Sequence, residues 1–142
     1  MEKLFEASGR YIQKVSGKLH RMLLKTVRGS ELTPAEAATL QFIAAADHPL
    51  CQRDIEKEYG MRPASATQML QSMEAKGAIR RAVDPDDHRR KVIIISDEWA
   101  EQTKEMYKDM VLIEEQLVKG LTDEEISRFR EIMIKMLNNL SE

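Results

Sequence analysis

The stretch that most constrains this chain runs from Arg81 to Ile95, Arg-Ala-Val-Asp-Pro-Asp-Asp-His-Arg-Arg-Lys-Val-Ile-Ile-Ile. Asp and Pro favour a tight turn, and the β-branched run Val92 to Ile95 suits a short buried strand, so the pattern predicts a hairpin with a charged tip. Arg89, Arg90 and Lys91 close the turn as consecutive cations, placed to meet a polyanion before the rest of the chain does. Just upstream, Arg62 to Lys76 reads as a helix with a polar, hydrogen-bonding outer face. A helix followed by a basic hairpin is the plan of a winged helix-turn-helix.

The flanking segments are helical in pattern. Ile12, Val15, Leu19 and Met22 recur at steps of three and four, with Leu23 and Val27 widening the stripe before Arg28-Gly29-Ser30 breaks it. Thr33-Pro34-Ala35-Glu36 then supplies an N-cap, a proline at the first helical position and a glutamate placed to close a capping box, so a second helix is expected to run to about Ala46. Leu50-Cys51 suggests a short strand, and Gln52 to Glu58 a brief helix stopped at Tyr59-Gly60. In the next helix Ala66, Met69, Leu70 and Met73 form the buried stripe, leaving Arg62, Ser65, Gln68, Gln71 and Ser72 outward with Thr67 near the edge. Gly77 is the expected C-cap, and the Ile79 region the first strand of the wing. After Ser96, the positions Trp99, Thr103, Met106, Met110, Ile113 and Leu117 mark a long helix ended by Gly120. Thr122-Asp123-Glu124-Glu125 gives a second capping box, and Ile126, Phe129, Met133, Met136 and Leu140 line a last helix.

The expected fold is therefore mainly α with a small β-wing, one domain over residues 1–142. Residues 33–96 form the winged-helix lobe, and the helices of 1–30 and 97–142 form a dimerisation region. Those helices carry more apolar surface than a lobe of this size covers, so a homodimer is expected over a folded-back monomer. With 42% hydrophobic residues the chain can build a core without metal or disulfide, and its single cysteine excludes an intrachain disulfide. One thiol and a charged opening, Met-Glu-Lys-Leu-Phe-Glu, point to a reducing cytoplasm, and no apolar run is long enough for a membrane span.

A net charge of −2 conceals an uneven distribution. Residues 1–30 hold seven Lys/Arg against two acidic residues, residues 50–95 nine against seven, and residues 97–142 six against twelve. The middle is only mildly basic, so DNA binding is expected to depend on a few placed cations rather than on a general attraction to polyanions. The acidic end is expected to face away from DNA.

With these elements in order, the chain resembles the MarR family, the multiple-antibiotic-resistance type of winged-helix transcriptional regulators. The likeness is carried by Leu32-Thr33-Pro34, by Ser65-Ala66-Thr67 with Leu70, Met73 and Lys76-Gly77, by Asp84-Pro85-Asp86-Asp87-His88-Arg89 in the wing, and by Ser96 at its exit. The resemblance implies a homodimer whose terminal helices join two lobes, each placing a recognition helix in the major groove of a palindromic operator, with a small-molecule or redox signal often releasing it. Carried over by position, Arg89 would reach the minor groove, Asp87 would orient it by a salt bridge, and Ser65, Thr67 and Gln68 would face bases or phosphates. A repressor is the reading favoured over an activator. Three positions depart from the family pattern: Gln68 in place of a frequent Arg, Glu56 in place of a small Ala, and Trp99 in place of Gly. They bear on the base read, the helix crossing and the exit angle of the wing.

Among individual residues, Gln68 suits the N6 and N7 edge of adenine where Arg would favour guanine, the plainer alternative being a phosphate contact. Arg62 is expected on phosphate, and Arg89, Arg90 and Lys91 on DNA rather than as a merely solvated face. Cys51 invites a redox role but reads more simply as a small core residue. Tyr11, Met22, Met106 and Met110 are candidates for an effector pocket, although the nine methionines are mostly expected to fill the core. His20, His48 and His88 lie on different elements without metal-ligand spacing, so neither a metal nor a cofactor is expected. No phosphate-cradling loop or nucleophile beside a base argues for an enzyme. The rival function is a winged-helix module that binds protein; its signature would be an apolar recognition face, and this one is polar.

Overall fold

The computed structural model describes residues 2–141, with nothing said of the side chains of Glu2 and Phe5. The chain divides into two compact units, Met1–Met110 and Val111–Glu142. Seven α-helices and one β-hairpin are found among the described residues: α1 (Glu2–Phe5), α2 (Ser8–Thr26), α3 (Pro34–Ala45), α4 (Gln52–Tyr59), α5 (Pro63–Ala75), β1 (Ile79–Val83), β2 (Lys91–Ile95), α6 (Ala100–Leu117) and α7 (Asp123–Asn139). A single turn of 3-10 helix, Asp97–Trp99, leads into α6.

The first unit is built around one apolar cluster drawn from almost every element in it: Val27 and Leu32, Ala37 and Leu40 on α3, Ile55 on α4, Leu70 and Met73 on α5, Ala78 and Ile79, Ile93, and Trp99 and Met106. Helix α2 contributes little, since none of its residues is buried and its stripe closes only at Val27, just past its end. The α3 N-terminus forms as its sequence demands. Thr33 Oγ1 accepts from the Glu36 backbone N–H at 3.2 Å, and Glu36 Oε1 accepts from the Thr33 N–H at 2.9 Å, closing a capping box behind Pro34. Helix α4 ends at Gly60, whose φ of 60° is the left-handed conformation that glycine adopts without steric cost.

The wing is antiparallel, with Ile79 opposite Ile95 and Val83 opposite Lys91 at its two ends. A bridge from Leu50 to Ile93, with the Ile93 N–H donating to the Leu50 carbonyl at 2.8 Å, adds a third piece on the far side of β2. An isolated hairpin is marginal in water, so this bridge and the burial of Val92 and Ile93 are what anchor it.

Glu36 does more than cap its helix. Its side chain is only 4% exposed, and beside the Thr33 N–H it takes hydrogen bonds from Lys76 Nζ at 2.6 Å and Ser72 Oγ at 2.9 Å. Burial pushes its carboxyl pKa up, but the bonds from Lys76, Thr33 and Ser72 together outweigh this and hold it below the usual value. A depressed folded-state pKa means stability that is present above the ordinary carboxylate range and is lost as pH falls through the depressed value.

The second unit holds the end of α6 and all of α7. Thr122 and Glu125 close the expected capping box, with bonds of 2.9 and 3.1 Å. No residue of α7 is buried; Phe129, Ile132, Leu137 and Leu140 are all exposed. Ile126, Met133 and Met136 of the expected stripe are half-buried.

Glu36→Gln is expected to lower stability by about 2 kcal/mol at neutral pH, because an amide brings no charge to meet the Lys76 ammonium and turns an NH2 toward other donors. Urea denaturation from about pH 7 to pH 3 checks this: the parent should lose stability on acidification more steeply than the variant.

Candidate nucleic-acid interface

Helix α5 presents its outer face as the heptad-like pattern predicts, with departures. Arg62, at the N-cap, and Ser65, Gln68 and Gln71 are exposed, while Ala66, Leu70 and Met73 are fully buried and Met69 is half-buried. Ser72 is corrected: it is half-buried and its hydroxyl donates to Glu36, because one step of the helical repeat turns it from the outer face toward α3. Thr67 is likewise half-buried. Its hydroxyl donates to the Pro63 carbonyl at 2.8 Å and accepts from Gln52 Nε2 at 2.9 Å.

The wing tip is ordered by its own aspartates. Asp84 Oδ1 accepts from the Asp86 N–H at 2.9 Å, an Asx-type turn, and the Asp84 N–H donates to the Arg90 carbonyl at 2.9 Å, closing the loop. Asp87 Oδ1 accepts from both the backbone N–H and the Nε of Arg89, at 3.1 and 3.2 Å. The Arg89 side chain is nonetheless 92% exposed, oriented at its root and free at its end.

Arg90 is the second correction. Rather than joining a three-cation tip, it folds back, with Nε 3.3 Å from Asp84 Oδ2 and Nη2 donating to the Pro49 carbonyl at 3.3 Å. Arg90 is half-buried where Arg89 is exposed, and it pairs with the half-buried Asp84. Lys91 is exposed, so Arg89 and Lys91 remain as the outward cations of the expected set.

The segment that carries the exposed polar helix face and most of the arginine-tipped hairpin, residues 30–90, matches the model of the MarR family. This segment is similar to the MarR family. The chain is 23% identical over 92 residues to YdgJ of Bacillus subtilis (strain 168), described as an uncharacterized HTH-type transcriptional regulator, a match covering 65% of this chain and 56% of that one. The chain thus spans about half the length of the curated relatives it matches. Among solved structures it resembles the transcription regulator MarR from Oenococcus oeni PSU-1, with a TM-score of 0.88, 22% identity and coverage of 93% and 99% of the two chains. It also resembles MepR of S. aureus in a DNA complex, with a TM-score of 0.85, 23% identity and coverage of 95% and 97%. At these identities the likeness establishes a shared fold.

Within the matched segment, the residues that hold α5 in place are ones that local sequence patterns do not reveal. Gln52, at the start of α4, places Nε2 within 2.9 to 3.3 Å of Thr67 Oγ1, Glu56 Oε2 and the Pro63 carbonyl, while its Oε1 accepts from Arg81 Nη1 at 3.4 Å. Arg81 Nε also lies 3.0 Å from Glu74 Oε1, near the end of α5. The signal was present: Arg81 shares a strand face with Ile79, and a cation on a core-facing position needs a partner. The departures at Glu56 and Trp99 are accommodated. Glu56 is half-buried and turned along its own helix toward Gln52, and Trp99 is buried in the core, with its carbonyl accepting from Thr103 Oγ1 at 2.7 Å.

The remaining candidates all lie in the first unit. Cys51 is half-buried at the N-cap of α4, where its N–H and Sγ lie 2.9 and 3.4 Å from Asp54 Oδ2. The bond from the Cys51 backbone, against a smaller burial effect, holds the Asp54 carboxyl below its usual pKa. Tyr11 is exposed, Met22 half-buried, Met106 buried inside the core and Met110 half-buried against it. Among the described residues no group of three or more His, Cys, Asp or Glu is gathered to hold a metal, and no helix is long and apolar enough to cross a membrane.

Asp84→Ala is expected to release Arg90 and one turn N–H together. Amide hydrogen exchange over residues 84–90 should quicken by about tenfold, while global stability changes by no more than about 1 kcal/mol.

Proposed function

We propose that this protein is a sequence-specific, DNA-binding transcriptional regulator that acts as a homodimeric repressor on a palindromic operator. The observation that carries this reading is the pairing of an uncommitted polar face on α5 with an arginine that is oriented by Asp87 and exposed at its guanidinium. Arg62, Ser65, Gln68 and Gln71 enter the major groove, and Arg89 reaches the adjacent minor groove with Lys91 on phosphate. Thr67, Ser72, Asp87 and Arg90 act behind them by holding the helix and wing in position. A protein-binding module is disfavoured by the same face, which offers no apolar anchor.

The dimer is supported by the exposed apolar side chains of α7 and of α2, including Tyr11, Ile12 and Val15, a larger uncovered set than isolated surface residues explain. Two lobes so joined place their half-site centres about 10 to 10.5 bp apart. A small molecule or oxidation releases the dimer from DNA, with Tyr11, Met22, Met106 and Met110 the proposed lining of the effector pocket and Cys51 the thiol available to an oxidant.

Fluorescence anisotropy against the DNA flanking the protein's own gene, with unrelated competitor DNA, tests the reading. Competitor-resistant, salt-sensitive binding at two chains per site is expected. Arg89→Ala should weaken it at least about tenfold and lower the salt slope by about one, whereas Glu114→Ala should leave it unchanged. Equal behaviour of the two variants would remove the wing from the interface. Leu137→Asp is expected to shift the mass measured by light scattering from two chains to one and to abolish operator binding with it.

A further inference from the structure

We propose that Gln68 and Gln71 are the base-reading pair of this chain and that each operator half-site presents A·T pairs to them; this deepens the DNA-binding reading above and rests on it. The structure removes the competing readers one by one. Thr67 and Ser72 are engaged with Pro63, Gln52 and Glu36, Glu74 with Arg81, and Lys76 with Glu36. The uncommitted polar side chains that stay outward along α5 are Arg62 at the N-cap, then Ser65, Gln68 and Gln71, and neither glutamine side chain has a hydrogen-bond partner among the described residues.

Residues three apart on a helix are surface neighbours, roughly 5 to 6 Å between their Cβ atoms. With base pairs stacked about 3.4 Å apart, two such side chains reach neighbouring pairs. A carboxamide offers a donor and an acceptor in one plane, which is the complement of adenine N7 and N6–H2 in the major groove. Guanine offers two acceptors there, so the amide carbonyl would be left unanswered in a desolvated interface. The group that reads guanine best, a guanidinium, occurs on this face only at Arg62, where the helix N-terminus suits it to phosphate. Arg89 adds an independent preference in the same direction, since narrow minor grooves of A-tracts attract an inserted arginine.

The test is selection from a random duplex library with the full chain, its Gln68→Arg variant and its Gln71→Arg variant. The parent should enrich adenine at two neighbouring positions of each half-site. Gln68→Arg should convert one of them to guanine and Gln71→Arg the other, with the remaining positions unchanged. On the parent's best site, 7-deazaadenine at either position should weaken binding about tenfold, and this readout does not depend on the variants folding. Specific binding with guanine at these positions, with preferences indifferent to both substitutions, or with full tolerance of 7-deazaadenine would overturn the assignment while leaving the regulator reading intact. Failure of the parent to enrich any sequence would overturn that reading as well.

Discussion

The winged lobe depends on a carboxylate that water scarcely reaches. Glu36 is taken out of solvent at the start of α3, and a charge so placed is tolerable only when its oxygens are answered by donors. Three of those donors are the Thr33 N–H, the Ser72 hydroxyl and the Lys76 ammonium. Two of them belong to the last turns of the recognition helix, so the requirement that Glu36 be satisfied is also a requirement that this helix lie in one place. Its other end is tied by Gln52, and Arg81 ties its flank to the wing. The helix is thus fastened along its inner side by polar bonds and apolar burial, and its outer side carries no structural duty.

The wing solves a different problem, that of holding a flexible, charged tip steady without a core beneath it. Its aspartates bind backbone and side chain at once. Asp84 shapes the turn and receives Arg90, and Asp87 shapes the next step and steadies Arg89. Two adjacent arginines therefore end in opposite tasks, one stitching the hairpin to the Pro49 carbonyl and the other presented to solvent.

What was legible in the sequence was what is local. Helix starts at Thr33 and Thr122, the stop at Gly60 and the hairpin with its aspartate turn all follow from residues within a few positions of one another. Glu36 read as the closing member of a capping box, which it is, and that local completeness hid a partner 40 residues away. Ser72 sits at the margin of the helical stripe, where periodicity alone does not decide between solvent and a neighbouring helix. Arg89 and Arg90 are chemically identical neighbours, and only the folded turn shows which of them meets Asp84 and the Pro49 carbonyl. The spacing marks the apolar stripe of α7, while which of its members stand exposed, Phe129 and Leu140 but not Met133 or Met136, is a property that only the folded chain displays.

Trp99 is the chain's only tryptophan, and it is buried where the wing hands over to α6. Its indole is therefore a built-in fluorophore whose emission belongs to the first unit alone. A red shift marks entry of water at the wing's exit, whereas fraying of α7 changes helical ellipticity without a tryptophan of its own to report it. Tryptophan emission can thus follow the first unit alone in the unlabelled protein.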